Sequence, residues 1–408
     1  MIDFTRLLAR DLPQPAGRFG GLPRWNFVGG NNDPALVPVE ALAEAAARTI
    51  RAEGRKLALY NMGEGPMGHP ALREFVAGKL ESQRGIAGGP ENVLITSGSL
   101  QGLDLVNEVL LEPGDTVLME EHTYGGAITR VQRCGARVVG MPVDADGIRM
   151  DRLAEILGEM RSRGVRPKYL YTIPTIQNPT GSVMPVERRR ELLRLSAEHG
   201  VPVFEDECYA DLLWEGEWPP ALRGMEGGEQ VIHIGSFSKS LAPALRLGYV
   251  SAPWEITSRL LACKDDGGTP SIEQMIVADF FGRHFDGHVR HLKEGLRRKL
   301  DVLVAAVEEE FGTSAELSLP KGGIFLWITL PEEVDTSRLA EAALAEGVAI
   351  NPGAQWSTDS DNARRSLRLC FALPPEEDLR EGVARLAAVC HREFGVPLHG
   401  ANKARRSA

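Results

Sequence analysis

Short apolar runs bounded by glycine or proline recur through the middle of the chain. Those at 93–96, 116–120, 137–142, 169–173, 201–205, 231–234 and 248–251 are mostly β-branched, as strands buried on both faces tend to be. Between them, 101–111, 150–163 and 186–199 carry apolar residues at helical spacing, and 36–51 does so before the first run. This alternation predicts an α/β fold: a large, mostly parallel mixed sheet flanked by helices. A long charged amphipathic helix is expected over 281–307. Beyond it the strand patterns thin out, at 323–329 and 366–371, and two helices accompany them. That change predicts a smaller α+β domain. The segment from Pro13 to Gly30 is rich in glycine and proline and reads as an extended arm. The expected division is 1–50 for the arm and part of the small domain, 51–285 for the large domain and 286–408 for the C-terminal small domain.

Length and charge narrow the function. A chain of 408 residues exceeds one typical core, and its net charge of −10 argues against a nucleic-acid surface. The basic tail Lys403-Ala404-Arg405-Arg406 is too short to change that. Residues 1–10 hold no long apolar run, and no stretch approaches the roughly 18 apolar residues of a membrane span. Cys134, Cys208, Cys263, Cys370 and Cys390 are scattered, with no C-x-x-C pair. They read as reduced thiols of a cytoplasmic protein, with no metal site expected.

Four segments carry candidate chemistry, each just after an expected strand. The first runs from Gly235 through Ser236, Ser238 and Lys239 to Arg246. Lysine is rarely buried without a partner, and desolvation lowers its pKa toward the neutral amine that Schiff-base chemistry needs. The two serines and Arg246 suit a phosphate monoester, although a serine-rich loop with a surface lysine has the same composition. The second segment, Phe204 to Tyr209, ends an apolar run on Asp206. A carboxylate there needs a partner, either a protonated ring nitrogen or the start of a helix to cap. The third, Gln177-Asn178-Pro179-Thr180-Gly181, is first a turn, with the Asn178 amide as a possible donor to a cofactor oxygen. The fourth, Thr96 to Gly102, presents backbone N–H groups at a helix start, a seat for phosphate. It lacks Gly-Lys-Ser/Thr, and the chain shows no G-x-G-x-x-G fingerprint. Tyr124 fits either a stacking role or the core, and Arg368, inside an apolar strand, fits a substrate carboxylate or an internal ion pair.

Together and in this order, these motifs resemble fold-type I pyridoxal-phosphate enzymes, specifically class I/II aminotransferases near the 2-aminoadipate and kynurenine aminotransferase group. The resemblance runs from about Asn26 to Arg385. It implies pyridoxal 5′-phosphate as cofactor, amino acids and 2-oxo acids as substrates, and a homodimer with shared active sites. It further implies that Lys239 holds the cofactor and shuttles a proton, that Asp206 pairs with the ring nitrogen, and that Tyr209 and Asn178 meet the phenolic oxygen. Gly98, Ser99, Leu100 through its backbone, Ser236, Ser238 and Arg246 would hold the phosphate, with Tyr60 arriving from the other subunit. Tyr124 and Cys208 would cover the ring faces. Arg368 would bind the substrate carboxylate beside Gly30. Arg18 and Arg24 in the arm are candidates for a distal carboxylate or plain solvated residues. Leu100, Cys208, His122 and Trp356 depart from the residues usual in that family at their positions. A β-lyase, racemase or decarboxylase on the same fold, or a ligand sensor, are the rival readings.

Overall fold

The computed structural model describes residues 2–8, 12 and 15–397; the basic tail at 403–406 lies outside them. Seven strands form the large sheet: β1 (Val93–Thr96), β2 (Thr116–Glu120), β3 (Arg137–Met141), β4 (Leu170–Thr172), β5 (Val203–Asp206), β6 (Ile232–Ser236) and β7 (Gly248–Ser251). Their spatial order is β1-β7-β6-β5-β4-β2-β3. All are parallel except β7, which runs antiparallel to both β1 and β6. The α/β sheet is therefore as expected, with β1, β2 and β7 at their expected bounds and the ends of the other four displaced by one or two residues.

The helices start and stop for local reasons. The helix Pro70–Arg84 has proline at its first turn, where a missing N–H costs nothing, and ends on Gly85 at φ 73°. The helix Ser99–Leu110 begins directly after β1 and points its N-terminus at the strand ends. The long helix Ser271–Phe311 begins ten residues before the apolar pattern suggested and has 41 residues, about 60 Å of axis. Along these extra turns Val277, Ala278, Phe280 and Phe281 are buried in a cluster with Phe75 and Phe237. Its later turns, Leu292 to Val307, belong to the core of the second sheet.

That second sheet comprises β8 (Glu316–Ser318), β9 (Phe325–Thr329), β10 (Asn351–Pro352) and β11 (Ser366–Cys370), in the order β8-β9-β11-β10, all antiparallel. Helices Thr336–Ala345 and Glu376–Phe394 cover it. The arm is extended only in part: Trp25–Asn26 pairs in parallel with Val348–Ala349 and is buried, so the arm's end belongs to this smaller layer.

Candidate active site

Most of the strand-end residues converge because the parallel strands β1, β4, β5 and β6 all end on one edge of the sheet, where open α/β sheets bind ligands. The antiparallel β7 adds to this. It starts where its neighbours finish, so Gly248 lies opposite both Thr96 and Ser236. Arg246, two residues earlier, is thereby delivered to the corner occupied by the start of helix Ser99–Leu110. Gly98 has φ 78°, a conformation that favours glycine, and a Cβ there would meet the end of the Arg246 side chain. Arg246 itself sits at φ 52°, a conformation non-glycine residues rarely hold except where function fixes them.

These elements enclose a cavity of about 330 Å³ lined by Gly30, Ser99, Leu100, Tyr124, Asn178, Asp206, Cys208, Tyr209, Ser236, Ser238, Lys239, Arg246 and Arg368. Gly98 stands just behind Arg246. Lys239 Nζ donates to the Gly30 carbonyl at 2.6 Å, and burial lowers its pKa, which favours the neutral amine. Asp206 accepts from the Tyr171 hydroxyl at 2.7 Å and from the Cys208 N–H at 3.1 Å. Burial raises its pKa, and those two donors pull against the rise. Asn178 Nδ2 faces the Tyr209 hydroxyl at 3.4 Å, while its Oδ1 accepts from Arg368 Nη1 at 3.0 Å.

Arg368 is held flat. Its guanidinium carbon lies 3.4 Å from the Trp356 ring centroid and 3.6 Å from that of Phe325. Its other acceptors are Gly29 O at 3.0 Å and Asn351 Oδ1 at 2.8 Å. Burial pushes its pKa down to about 10. Every acceptor is neutral, and its Nε has no partner among the described residues. The internal ion pair left open by the sequence is not what the structure builds.

Three candidates lie elsewhere. Arg24 does not line the cavity; it pairs with Glu381 at 2.9 Å and stacks on Trp25, because the Trp25–Asn26 strand points it along the outer face of helix Glu376–Phe394. Arg18 is likewise exposed. Tyr60 is 88% exposed and outside the cavity of its own chain.

Several contacts could not be read from the sequence. Tyr171 reaches Asp206 from the next strand, and Phe325 and Asn351 come from the second sheet. Glu120, at the end of β2, accepts from Thr172 Oγ1 at 2.6 Å, from Ile173 N and from Gln177 Nε2 at 2.9 Å, and so clamps the turn that carries Asn178. Burial pushes Glu120 up to about 7. In the run Glu205-Asp206-Glu207, strand alternation turns Asp206 to the cavity and its neighbours the other way. Glu207 pairs with Arg84 and faces Arg189 at 3.6 Å, and Glu205 takes His233 at 2.9 Å.

The donor set fits pyridoxal 5′-phosphate. A helix start, two serines and Arg246 offer phosphate contacts; Asp206 suits a ring nitrogen; Asn178 and Tyr209 offer donors for a phenolic oxygen; and a buried amine with a lowered pKa faces the same cavity for an aldehyde. Comparison with known proteins agrees. The sequence profile described as aminotransferase class I and II matches residues 28–386. A 2-aminoadipate transaminase of Thermus thermophilus is 36% identical over 88% of both chains. An aromatic-amino-acid aminotransferase of Thermococcus litoralis is 32% identical, covering 90% of this chain and 88% of the other. The crystal structure of an alpha-aminoadipate aminotransferase from Thermus thermophilus, complexed with N-(5′-phosphopyridoxyl)-L-leucine, superposes with a TM-score of 0.83 at 35% identity, covering 91% of this chain and 93% of that one.

Proposed function

The chain belongs to the class I and II aminotransferases, and from that premise we propose how its cavity transfers an amino group. It is a pyridoxal-phosphate-dependent aminotransferase acting between amino acids and 2-oxo acids. The course we propose is ping-pong: donor and acceptor use one cavity in turn. Arg368 carries this reading. A buried guanidinium whose partners are all neutral has an unmet need for an anion, and a substrate carboxylate meets it as a bidentate pair.

The roles follow from placement. Arg368 orients the carboxylate, with the Gly30 backbone as the adjoining wall. Lys239 attaches the cofactor and, when displaced, moves the proton at the substrate Cα; burial lowers its pKa, which favours the neutral, basic amine. When bound, pyridoxal phosphate supplies the electron sink for the charge left at Cα. Asp206 keeps a proton on the ring nitrogen, and Asn178 and Tyr209 meet the phenolic oxygen. Gly98, Ser99, Leu100 N–H, Ser236, Ser238 and Arg246 hold the phosphate. Tyr124 and Cys208 confine the ring. The walls left for a side chain, among them Val28, Phe325 and Trp356, are apolar, which supports donors with uncharged side chains over dicarboxylic ones.

A homodimer with shared sites completes the proposal. Leu59 and Tyr60 are 59% and 88% exposed on adjacent positions, which suits burial against a second copy and leaves the partner subunit's Tyr60 to reach the phosphate. The large unit would be 51–285 and the small unit 286–408 with part of 1–50, the helix Ser271–Phe311 crossing the boundary. A cytoplasmic setting rests on five cysteines that are free thiols.

The test is to add single amino acids to the cofactor-loaded protein without any acceptor. Loss of the yellow absorbance with one equivalent of 2-oxo acid, and no further turnover, is expected. Lys239→Ala should keep the cofactor through its phosphate contacts and lose nearly all turnover. Near-normal turnover in that variant would overturn the assignment.

A further inference from the structure

The turn that carries Lys239 is a single helical loop, closed by Leu241 N donating to Phe237 O at 2.9 Å and continued by no helix. Its carbonyls therefore have no ladder to enter, and buried carbonyls need donors. Two side chains from distant parts of the chain supply them. The Asn32 amide donates to Ser238 O at 3.1 Å and Leu241 O at 3.0 Å, with Lys239 O at 3.5 Å. His288 Nε2, from the long helix, meets Ser240 O at 2.9 Å. Asn32 is buried, and its own Oδ1 has no partner among the described residues. The side chain is oriented by its donor end alone.

The segment that carries Asn32 is itself pinned on the other side. Phe27 O accepts from Cys370 N at 2.9 Å, and Gly29 O accepts from Arg368 Nη2 at 3.0 Å. Gly30 O then receives Lys239 Nζ, and a Cβ at Gly30 would stand 2.6 Å from that nitrogen. One short strip of chain thus grips the lysine's backbone through Asn32 and leaves room for its side chain at Gly30, while tied to the strand that bears Arg368.

We propose that Asn32 is a positioning residue for Lys239: by collecting the free carbonyls of the lysine's turn, it fixes where Nζ enters the cavity. This rests on the role proposed above for Lys239. The step it serves is condensation of the Lys239 amine with the cofactor aldehyde, which forms the C=N bond and releases water.

Cofactor-free protein is mixed with pyridoxal phosphate across a pH series, and the absorbance of the lysine-linked product is followed in wild type, Asn32→Leu, Asn32→Ser and Lys239→Ala. Asn32→Leu keeps the shape and removes the donor; its condensation rate at neutral pH should fall about tenfold, the effect of losing buried hydrogen bonds. The pH midpoint should move up, as a loosened turn admits water to the amine. Asn32→Ser keeps one O–H donor and should recover part of the rate, and it carries the test if the leucine variant fails to fold. Affinity for pyridoxine 5′-phosphate, which has the ring and phosphate but no aldehyde, should stay within about twofold, since the cradle is intact. Wild-type rate and midpoint in Asn32→Leu would overturn the inference, and so would an equal fall in pyridoxine-phosphate affinity, which marks general collapse. Lysine-linked absorbance in Lys239→Ala would instead overturn the role of Lys239.

Discussion

Tyr171→Phe removes one oxygen atom from the wall behind the cavity. In the native protein that hydroxyl donates to Asp206 Oδ2 at 2.7 Å, and the Asp206 carboxylate is buried, so no water replaces it freely. A hydrogen bond to a charged group contributes about 1.5–3 kcal/mol, and each 1.4 kcal/mol is tenfold, so kcat/KM should fall roughly ten- to hundredfold. The sign of the pH effect follows from the balance at Asp206. Burial raises its pKa, and the Tyr171 and Cys208 donors lower it. Without the hydroxyl the pKa climbs further, so the acidic limb of the pH profile should move to higher pH. The phenylalanine ring retains the edge contact with Phe204, whose centroid lies 5.7 Å from that of Tyr171, so the fold should tolerate the change. The assay is kcat/KM against pH for the half-reaction with an amino acid donor, alongside a thermal melt. A variant whose profile superimposes on wild type within twofold would refute the claim that the Tyr171 hydroxyl holds the Asp206 pKa down.

Other consequences are as direct. Arg368→Lys keeps the charge and loses the flat fork between Trp356 and Phe325, so kcat/KM for amino acids should fall by about two orders of magnitude while simple amines without a carboxylate are little affected; equal losses for both would contradict carboxylate recognition. Glu207→Gln leaves Arg84 without its anion and Arg189 with Glu205 alone at 4.0 Å, and should cost about 3–5 kcal/mol of stability by denaturant unfolding. Burial works against the Glu207 charge, but Arg84 and Arg189 hold its pKa down to about 2, so its stabilisation is present above about pH 4.5 and fades as pH falls toward 2. The difference between variant and wild type should shrink over that range. Glu120 runs the other way: with its pKa raised to about 7, its contribution is full below about pH 4.5 and is lost as pH rises through 7. The melting temperature of wild type relative to Glu120→Gln should therefore decline across that window, and a gap that widens with pH would refute the burial argument.

Much of this protein is written locally. The buried β-branched runs and the helical spacings between them dictate the α/β alternation, because burial on both faces leaves a strand little choice of composition. Lys239, Asp206 and Asn178 are legible for the same reason: each stands at or just beyond the end of such a run, where a polar group is costly without a purpose, and Arg246 stands just before one. Composition could not show the start of the long helix, since Val277 to Phe281 read equally as core strand until Phe75 and Phe237 arrive to cover them. Nor could it place Arg24, which a two-residue strand pairing turns outward toward Glu381.

What the tertiary structure alone decided is which distant groups meet. The antiparallel entry of β7 brings Arg246 to Gly98, a juxtaposition that depends on strand order and not on any residue in either segment. Asp206 depends on Tyr171 one strand away, Glu207 on Arg84 and Arg189, and Arg368 on Asn178, Asn351 and two aromatic faces. The lysine's turn leans on Asn32 across 206 residues of sequence. A sequence shows that a buried charge or carbonyl must have a partner, because an unpaired one is too costly; only the packing of the chain chooses the partner.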